Sequence, residues 1–358
     1  MPLEIHRLEH RDRRAVTGER EASQVPETSS SPSTLRGAAD AVDRALASVR
    51  PLVTMWRDGL TVIALESAQP SRTRNYLTFD EAQADHAVEV REAAVQAVPT
   101  VDAVTGPVSV LVLGGDTIIG GAQNRIINIT ILLKAAATTP IPVSCLELGR
   151  WNDGRQFASA RPVDHAMRGM VADQVSRGLR GARPGADRFG AVQGAIWQEI
   201  GERQGRAAFR SPTQAIHDVY EREQSTVDDF VGAFPVPPGS RGIAIGLLDR
   251  LVGLDIFDSA ETAERQWSRL VASAASALLD RQRAIAMRAA AKPRHRHVDP
   301  GALDRMLGRA RAALGSATVS PSVGLGRDVR FAAPRLVGTA LVHDRRAVHV
   351  ALFRHDAP

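Results

Sequence analysis

The sequence predicts an α+β fold, with a mainly antiparallel sheet and packed helices from the middle and late part of the chain. Three observations carry this. Short apolar or alternating runs bounded by turn residues gather towards both ends of the chain. Apolar residues at helical spacing dominate the middle and late part. Regular strand–helix–strand alternation is missing, which argues against a doubly wound parallel sheet.

The elements follow in order. Residues 1–47 read as a disordered tail with a short helical lead-in at 36–48, and residues 48–358 as a single α+β domain. Runs 52–56 and 60–65 are strands joined by Arg57-Asp58-Gly59, a hairpin signal. A short strand is expected at 76–79 and a short helix from Asp80. Residues 88–92 alternate with period two, and 108–113 form a buried strand. The glycine pairs Gly114-Gly115 and Gly120-Gly121 punctuate, and 124–134 reads as one long strand. Pro140 and Pro142 bound a further strand, 143–148, in which Cys145 and Glu147 share a face. Residues 152–186, rich in Gly and Arg, read as a loose basic connection. Helices follow at 189–203 and from Ser211-Pro212, with Ser211 as N-cap. Strands 242–248 and 251–257 precede a long helix from Ser259 that carries Trp267, Leu270, Val271, Ala274 and Leu278. A helix at 301–314, a strand at 329–332 and a hairpin of 336–342 with 347–353 close the chain.

Composition bounds the function. With 44% hydrophobic and 24% charged residues, the 358-residue chain is ordinary globular protein. A single cysteine, Cys145, excludes an intramolecular disulfide and a Cys-rich zinc site, and suits a reducing compartment. No apolar run approaches membrane-span length, and the N-terminus lacks the apolar stretch of a signal peptide. A cytoplasmic protein without a membrane partner is the expectation. The net charge of +5 does not imply nucleic acid as partner. Of 45 basic residues only Lys134 and Lys292 are lysines, 40 acidic residues intersperse them, and aromatics make up 4%. The ten histidines are scattered without metal-ligand spacing, so no metal site is expected and no cofactor can be named.

Two groups of residues could carry chemistry. Gly120 to Arg125 sets a glycine pair before Gln123, Asn124 and Arg125, whose amide and guanidinium groups could meet a carboxylate, phosphate or ribose. The plainer reading is a bulged strand entry. Cys145, Glu147 and Arg150 form the second group. A thiolate needs a cationic neighbourhood, and Cys145 in so apolar a run also reads as a small core residue. Glu147 in that run must be paired or functional, with Arg125 or Arg150 as its partner.

The run Gly120-Gly-Ala-Gln-Asn-Arg, the strand after it, and Pro142-Val-Ser-Cys-Leu-Glu-Leu-Gly-Arg-Trp together resemble the ADP-ribosylglycohydrolase and rhodanese-phosphatase-superfamily-associated protein domain. The resemblance would span roughly residues 48–355. It implies an ADP-ribose- or NAD-derived nucleotide as the small-molecule partner, with Gln123, Asn124, Arg125, Asn128, Arg150 and Trp151 in ligand contact. Glu147 and Cys145 are then the candidate catalytic groups, Glu147 as acid/base and Arg125 and Arg150 as anion clamps. The alternative is a non-catalytic binding or scaffold domain holding a buried Arg–Glu ion pair.

Overall fold

Strands that are apolar on both faces need cover on both faces, and helices supply it here. The computed structural model describes residues 32–93, 99–150, 156–181, 189–288 and 297–355. Residues 1–31 of the expected tail and Trp151 lie outside them, while helix begins at residue 32, earlier than the lead-in expected from 36. Helix α1 (Pro32–Ser48) leads into the hairpin β1 (Val49–Arg57) and β2 (Leu60–Ser67). Asp58 and Gly59 both take positive φ, 49° and 93°, as the two-residue turn between twisted strands requires. The chain then builds β3 (Tyr76–Thr78), α2 (Phe79–Ala84), β4 (Val88–Glu92), β5 (Thr100–Thr105) and β6 (Ser109–Val112). Next come β7 (Thr117–Ile119), β8 (Arg125–Ile127), β9 (Ile131–Leu133), β10 (Thr138–Cys145) and β11 (Ala158–Ala160). Helices α3 (His165–Gly181), α4 (Gln193–Arg206) and α5 (Ile216–Ala233) follow. The chain closes with β12 (Gly242–Leu247), β13 (Arg250–Phe257), α6 (Ala260–Arg288), α7 (Ala302–Ala313), β14 (Thr318–Pro321), β15 (Arg327–Ala333), β16 (Leu336–His343) and β17 (Arg346–Arg354).

The fold is α+β with mainly antiparallel sheets. The largest sheet has eight strands in the order β1-β2-β12-β13-β17-β16-β15-β14, all antiparallel. Alternation along β2 sends Val62 and Ala64 to one face and Ile63 and Leu65 to the other. The first face packs on Trp267, Leu270 and Val271 of α6; the second packs on Val42 and Leu46 of α1 and Leu303 and Leu307 of α7. Two smaller sheets, β11-β7-β8-β10-β5-β4 and β3-β6-β9, lie between β2 and β12 in sequence. Their core meets α3, α4 and α5 through Met167, Val171, Ile196, Ile200, Ile216 and Val219.

Several expected elements differ, each for a physical reason. The long strand expected at 124–134 is two strands in different sheets, β8 and β9. It breaks where polar groups find partners outside a ladder. Asn128 N–H donates to Pro142 O, the Asn128 side chain joins Ser144 and Phe189 O, and Gly114 N–H donates to Thr130 Oγ1. Pro140 and Pro142 lie inside β10 rather than bounding it. Val143 N–H reaches Pro99 O on the β5 side, so residues one step away turn their nitrogens to the other edge, where β8 pairs only from Val143 onward. On that edge Pro142 O accepts the Asn128 N–H, but proline has no N–H to return, so one bond of the β8 ladder is missing there. The same strand ends at Cys145, so Glu147 lies in the following turn and not on the Cys145 face. There Leu148 and Gly149 both donate to Thr213 O.

The helix expected from Ser211 starts five residues later, at Ile216. Ser211 Oγ instead closes a turn by accepting the N–H groups of Thr213 and Ala215. The loose connection expected over 152–186 contains α3, a core helix. Met167, Val171 and Val175 recur every four residues and are buried. Gly169 lies where a Cβ would come within 3.1 Å of Phe353 Cβ, so glycine there serves close helix–sheet packing.

A buried polar chain joins α3, β13, β17 and the β8–β9 connection. Arg168 donates through both terminal nitrogens to Asp255, at 3.0 and 2.7 Å. His349 Nε2 lies 3.0 Å from Asp255 Oδ1, and its Nδ1 lies 3.1 Å from Thr130 Oγ1. Thr130, His349 and Asp255 stand in the order nucleophile, base, acid, but the space beside them is about 20 Å³. That holds one water and no substrate. We read this chain as structural.

Candidate functional site

The Gly120–Asn124 loop is shaped by its glycines and pinned by Arg150. Gly120 and Gly121 take φ of +114° and +54°, and a Cβ on either would overlap Gln156 O or the Phe157 ring. Arg150 Nη1 donates to Gly121 O at 2.9 Å, and Nη2 donates to Gly120 O at 3.3 Å and to Asn124 Oδ1 at 3.0 Å. Arg150 Nε donates to Glu147 Oε2 at 3.0 Å. Glu147 also accepts the Asn124 N–H at 3.3 Å. Burial pushes the Glu147 carboxyl up, but hydrogen bonds from Arg150, Thr213 and the Asn124 N–H outweigh it and hold it below the usual carboxylate range. Glu147 is therefore ionised at neutral pH.

The predicted site residues divide into two groups. Gln123, Arg125, Asn128 and Cys145 face the interior. Cys145 pairs directly with Arg125 across β10 and β8, and Arg125 Nη1 donates to its Sγ. Arg125 Nη1 also donates to Gln123 Oε1 at 3.1 Å, and Nη2 lies 3.8 Å from Glu92 Oε2. Of the two partners expected for Glu147, Arg150 is the one it takes, and Arg125 lies against Glu92 instead, so the Arg125–Glu147 ion pair is not formed. The turn after Cys145 takes Glu147 out of register with Arg125. Burial pushes the Cys145 thiol up, further than Arg125 pulls it down, so little thiolate forms at neutral pH. We assign no ligand contact to these four residues. Arg150 is no free clamp either, because its donors hold the loop.

Asn124, Glu147 and Arg150 line a cleft of about 430 Å³ together with Thr213 and, from the first two turns of α5, His217, Asp218 and Glu221. That volume suits part of a small ligand. His217 is 9% exposed. Thr117 has one hydroxyl proton, and it goes to Arg161 O at 2.8 Å. Thr117 Oγ1 must therefore accept from His217 Nε2, 3.2 Å away. This fixes the tautomer. Nδ1 keeps its lone pair and has no hydrogen-bond partner among the described residues. Burial, and then the charge of Arg161, lower the His217 pKa to about 4 against the opposing charge of Glu147. The cleft is thus lined by a neutral imidazole, whose spare lone pair is covered by protein, and by an ionised carboxylate. A proton can be taken up there and positive charge stabilised.

His165 on α3 is likewise lowered to about 4, by burial and then by Arg168. Both folded-state values lie below the ordinary 6.5, so the unfolded chain binds these protons more readily. Their contribution to stability is complete above about pH 6.5 and is lost as the pH falls from there towards 4. Each histidine contributes roughly 1.4 kcal/mol per pH unit inside that window. Urea unfolding at about pH 7, 6 and 5 should show a falling midpoint. Equal midpoints would refute the assignment of buried neutral histidines.

His217, Thr117 and Arg161 were not among the residues singled out by sequence. One signal was present: α5 carries Ile216, Val219 and Tyr220 at core spacing, and His217 and Glu223 lie on that same buried face. A histidine on an apolar helix face invites the question of its partner. The tie between Thr117 and His217, 100 residues apart, has no local signal. The described residues contain no group of three or more His, Cys, Asp or Glu arranged to hold a metal ion. Among the same residues, no helix is long and apolar enough to cross a membrane.

No curated protein and no solved structure is significantly similar to the chain. A family model does match, over residues 50–353, which run from β1 to β17 and take in the three sheets and the cleft. The chain belongs to the family defined by the ARG and Rhodanese-Phosphatase-superfamily-associated Protein domain.

Proposed function

We propose that the cleft binds the ribosyl part of an ADP-ribose-like or other NAD-derived nucleotide and hydrolyses the bond at its anomeric carbon. The observation that supports this best is His217, a buried neutral base with an unpaired Nδ1, sharing a cleft with the ionised Glu147. Asp218 and Glu221 add acceptors for ribose hydroxyls. We read ARG in the family name as ADP-ribosylglycohydrolase, which gives the chemical context for a ribosyl substrate. In this reading water adds through its oxygen to the anomeric carbon and gives a proton to His217. The bond to the leaving group breaks with its electron pair on that group, which takes a proton from solvent. Glu147 stabilises the positive charge that develops on the sugar.

A second reading, a non-catalytic binding domain, is favoured by one observation. Glu147 already serves Arg150 and the Asn124 N–H, which accounts for a carboxylate at that position. Thermal-shift measurements with ADP-ribose, NAD and nucleotides, followed by product analysis of any that bind, separate the two. Stabilisation with release of a free ribosyl product supports hydrolysis. Stabilisation without turnover supports the binding domain. No shift with any of them removes the ligand class.

A further inference from the structure

A second cleft of about 810 Å³ shares Gln156 and Ala158 with the first, and Arg161 lines it. Arg161 follows β11 directly. Its guanidinium lies over the Tyr220 ring, 4.7 Å from the centroid. Nη1 and Nη2 are both covered by protein, and neither has a hydrogen-bond partner among the described residues. Its neighbours are paired: Arg203 takes Asp164 at 2.7 Å and Glu223 at 3.3 Å, and Arg283 takes the other oxygen of Glu223. Among the described residues the terminal nitrogens of Arg161 have no such carboxylate. The other arginine in this cleft, Arg269, is held by Asp80 at 2.6 Å and Asp116 at 2.8 Å. A buried charge without a partner is costly, and a fold that keeps one beside a cleft keeps it for a counter-charge from outside.

We propose that Arg161 is the anion subsite of the site described above, and that it takes the phosphate end of a ligand whose ribosyl part lies between Glu147 and His217. This rests on the ribosyl reading for the identity of the ligand's other half, not for the anion itself. Once its cover moves aside, the planar guanidinium fork gives a phosphate two parallel donors. The subsite is also coupled to the base. Thr117 Oγ1 bonds both Arg161 O and His217 Nε2, and the Arg161 charge is one of the forces that keep His217 neutral. An anion on Arg161 cancels that force and makes His217 a stronger base.

The test uses inorganic pyrophosphate with the full chain, read by calorimetry, melting temperature and the NMR titration of His217. Wild type should bind pyrophosphate, and the His217 titration should move to higher pH when it does. Arg161→Gln should bind at least tenfold more weakly, while its melting temperature without ligand stays level or rises, because an unpaired buried charge is gone. Arg311→Gln, a substitution on the exposed face of α7 away from both clefts, should bind as wild type does. If Arg161→Gln melts well below wild type, Arg161→Lys decides: tenfold weaker binding at an unchanged melting temperature supports the subsite, and equal affinity overturns it. No binding by wild type, or binding by Arg161→Gln within twofold of wild type, overturns it as well. The two readings fail separately. Pyrophosphate binding that depends on Arg161, with no binding of ADP-ribose, leaves the subsite and removes the ribosyl reading. ADP-ribose binding that is unchanged in Arg161→Gln does the reverse.

Discussion

Replacing Asp255 with alanine is expected to destabilise the fold by about 3–5 kcal/mol, the loss typical when one partner of a buried ion pair is removed. Asp255 is 0% exposed and takes both terminal nitrogens of Arg168 and Nε2 of His349. Without it a buried guanidinium on α3 loses its counter-charge, and the link from α3 to β13 and β17 goes with it. Burial pushes the Asp255 carboxyl up, but Arg168 and His349 outweigh burial and hold it well below the usual carboxylate range. A depressed carboxyl contributes stability above its unfolded value, near pH 4, and loses it only in more acid solution. This window lies below that of His165 and His217, so the two effects separate in a pH series. The double change Asp255→Leu with Arg168→Met removes both charges together, and should cost less than Asp255→Ala alone. A melting temperature within a degree of wild type for Asp255→Ala would show that the buried chain is not what joins these elements.

The parts of the fold legible in the sequence are those whose apolar residues run together with few polar or glycine interruptions. The strands around 60–65, 242–248, 251–257, 336–342 and 347–353 are apolar on both faces because α1, α6 and α7 cover both sides of the large sheet. Helix α3 was hidden because its core positions share the sequence with Gly169, Gly178 and Arg168, which read locally as loop and surface. Arg168 is in fact buried on Asp255, a partner 87 residues away. The three-residue strands β7 and β11 are too short for any period to show. The site was half legible for the same reason. Glu147 and Arg150 are three residues apart, so their pairing can be read locally. The partnership of Arg125 with Glu92 depends on the order β8-β10-β5-β4, which no local pattern contains. Arg161 and His217, 56 residues apart, are joined through Thr117 and Tyr220, a link with no local pattern.

Replacing His217 with glutamine should reduce turnover of a ribosyl substrate by roughly 10²- to 10⁴-fold, the usual contribution of a positioned base. Glutamine can still donate an amide hydrogen to Thr117 Oγ1, so the wall of the cleft survives while the basic lone pair does not. The pH profile sharpens the test. With the pKa near 4, wild-type kcat/KM should fall only below about pH 4 and stay flat from there to neutrality. The residual activity of His217→Gln should keep only the acid limb that protonation of Glu147 imposes. Stability should respond in the opposite sense. The variant has lost one of the two histidines that the unfolded chain protonates between about pH 6.5 and 4, so its urea midpoint should fall less steeply across that window than wild type's. Glu147→Gln provides the contrast. It too should slow turnover, but it also takes the charge from Arg150 and weakens the hold on the Gly120–Asn124 loop, so its melting temperature should drop. An unaltered rate in His217→Gln, with substrate bound as in wild type, would leave the unpaired Nδ1 without a chemical role and return the cleft to a binding function.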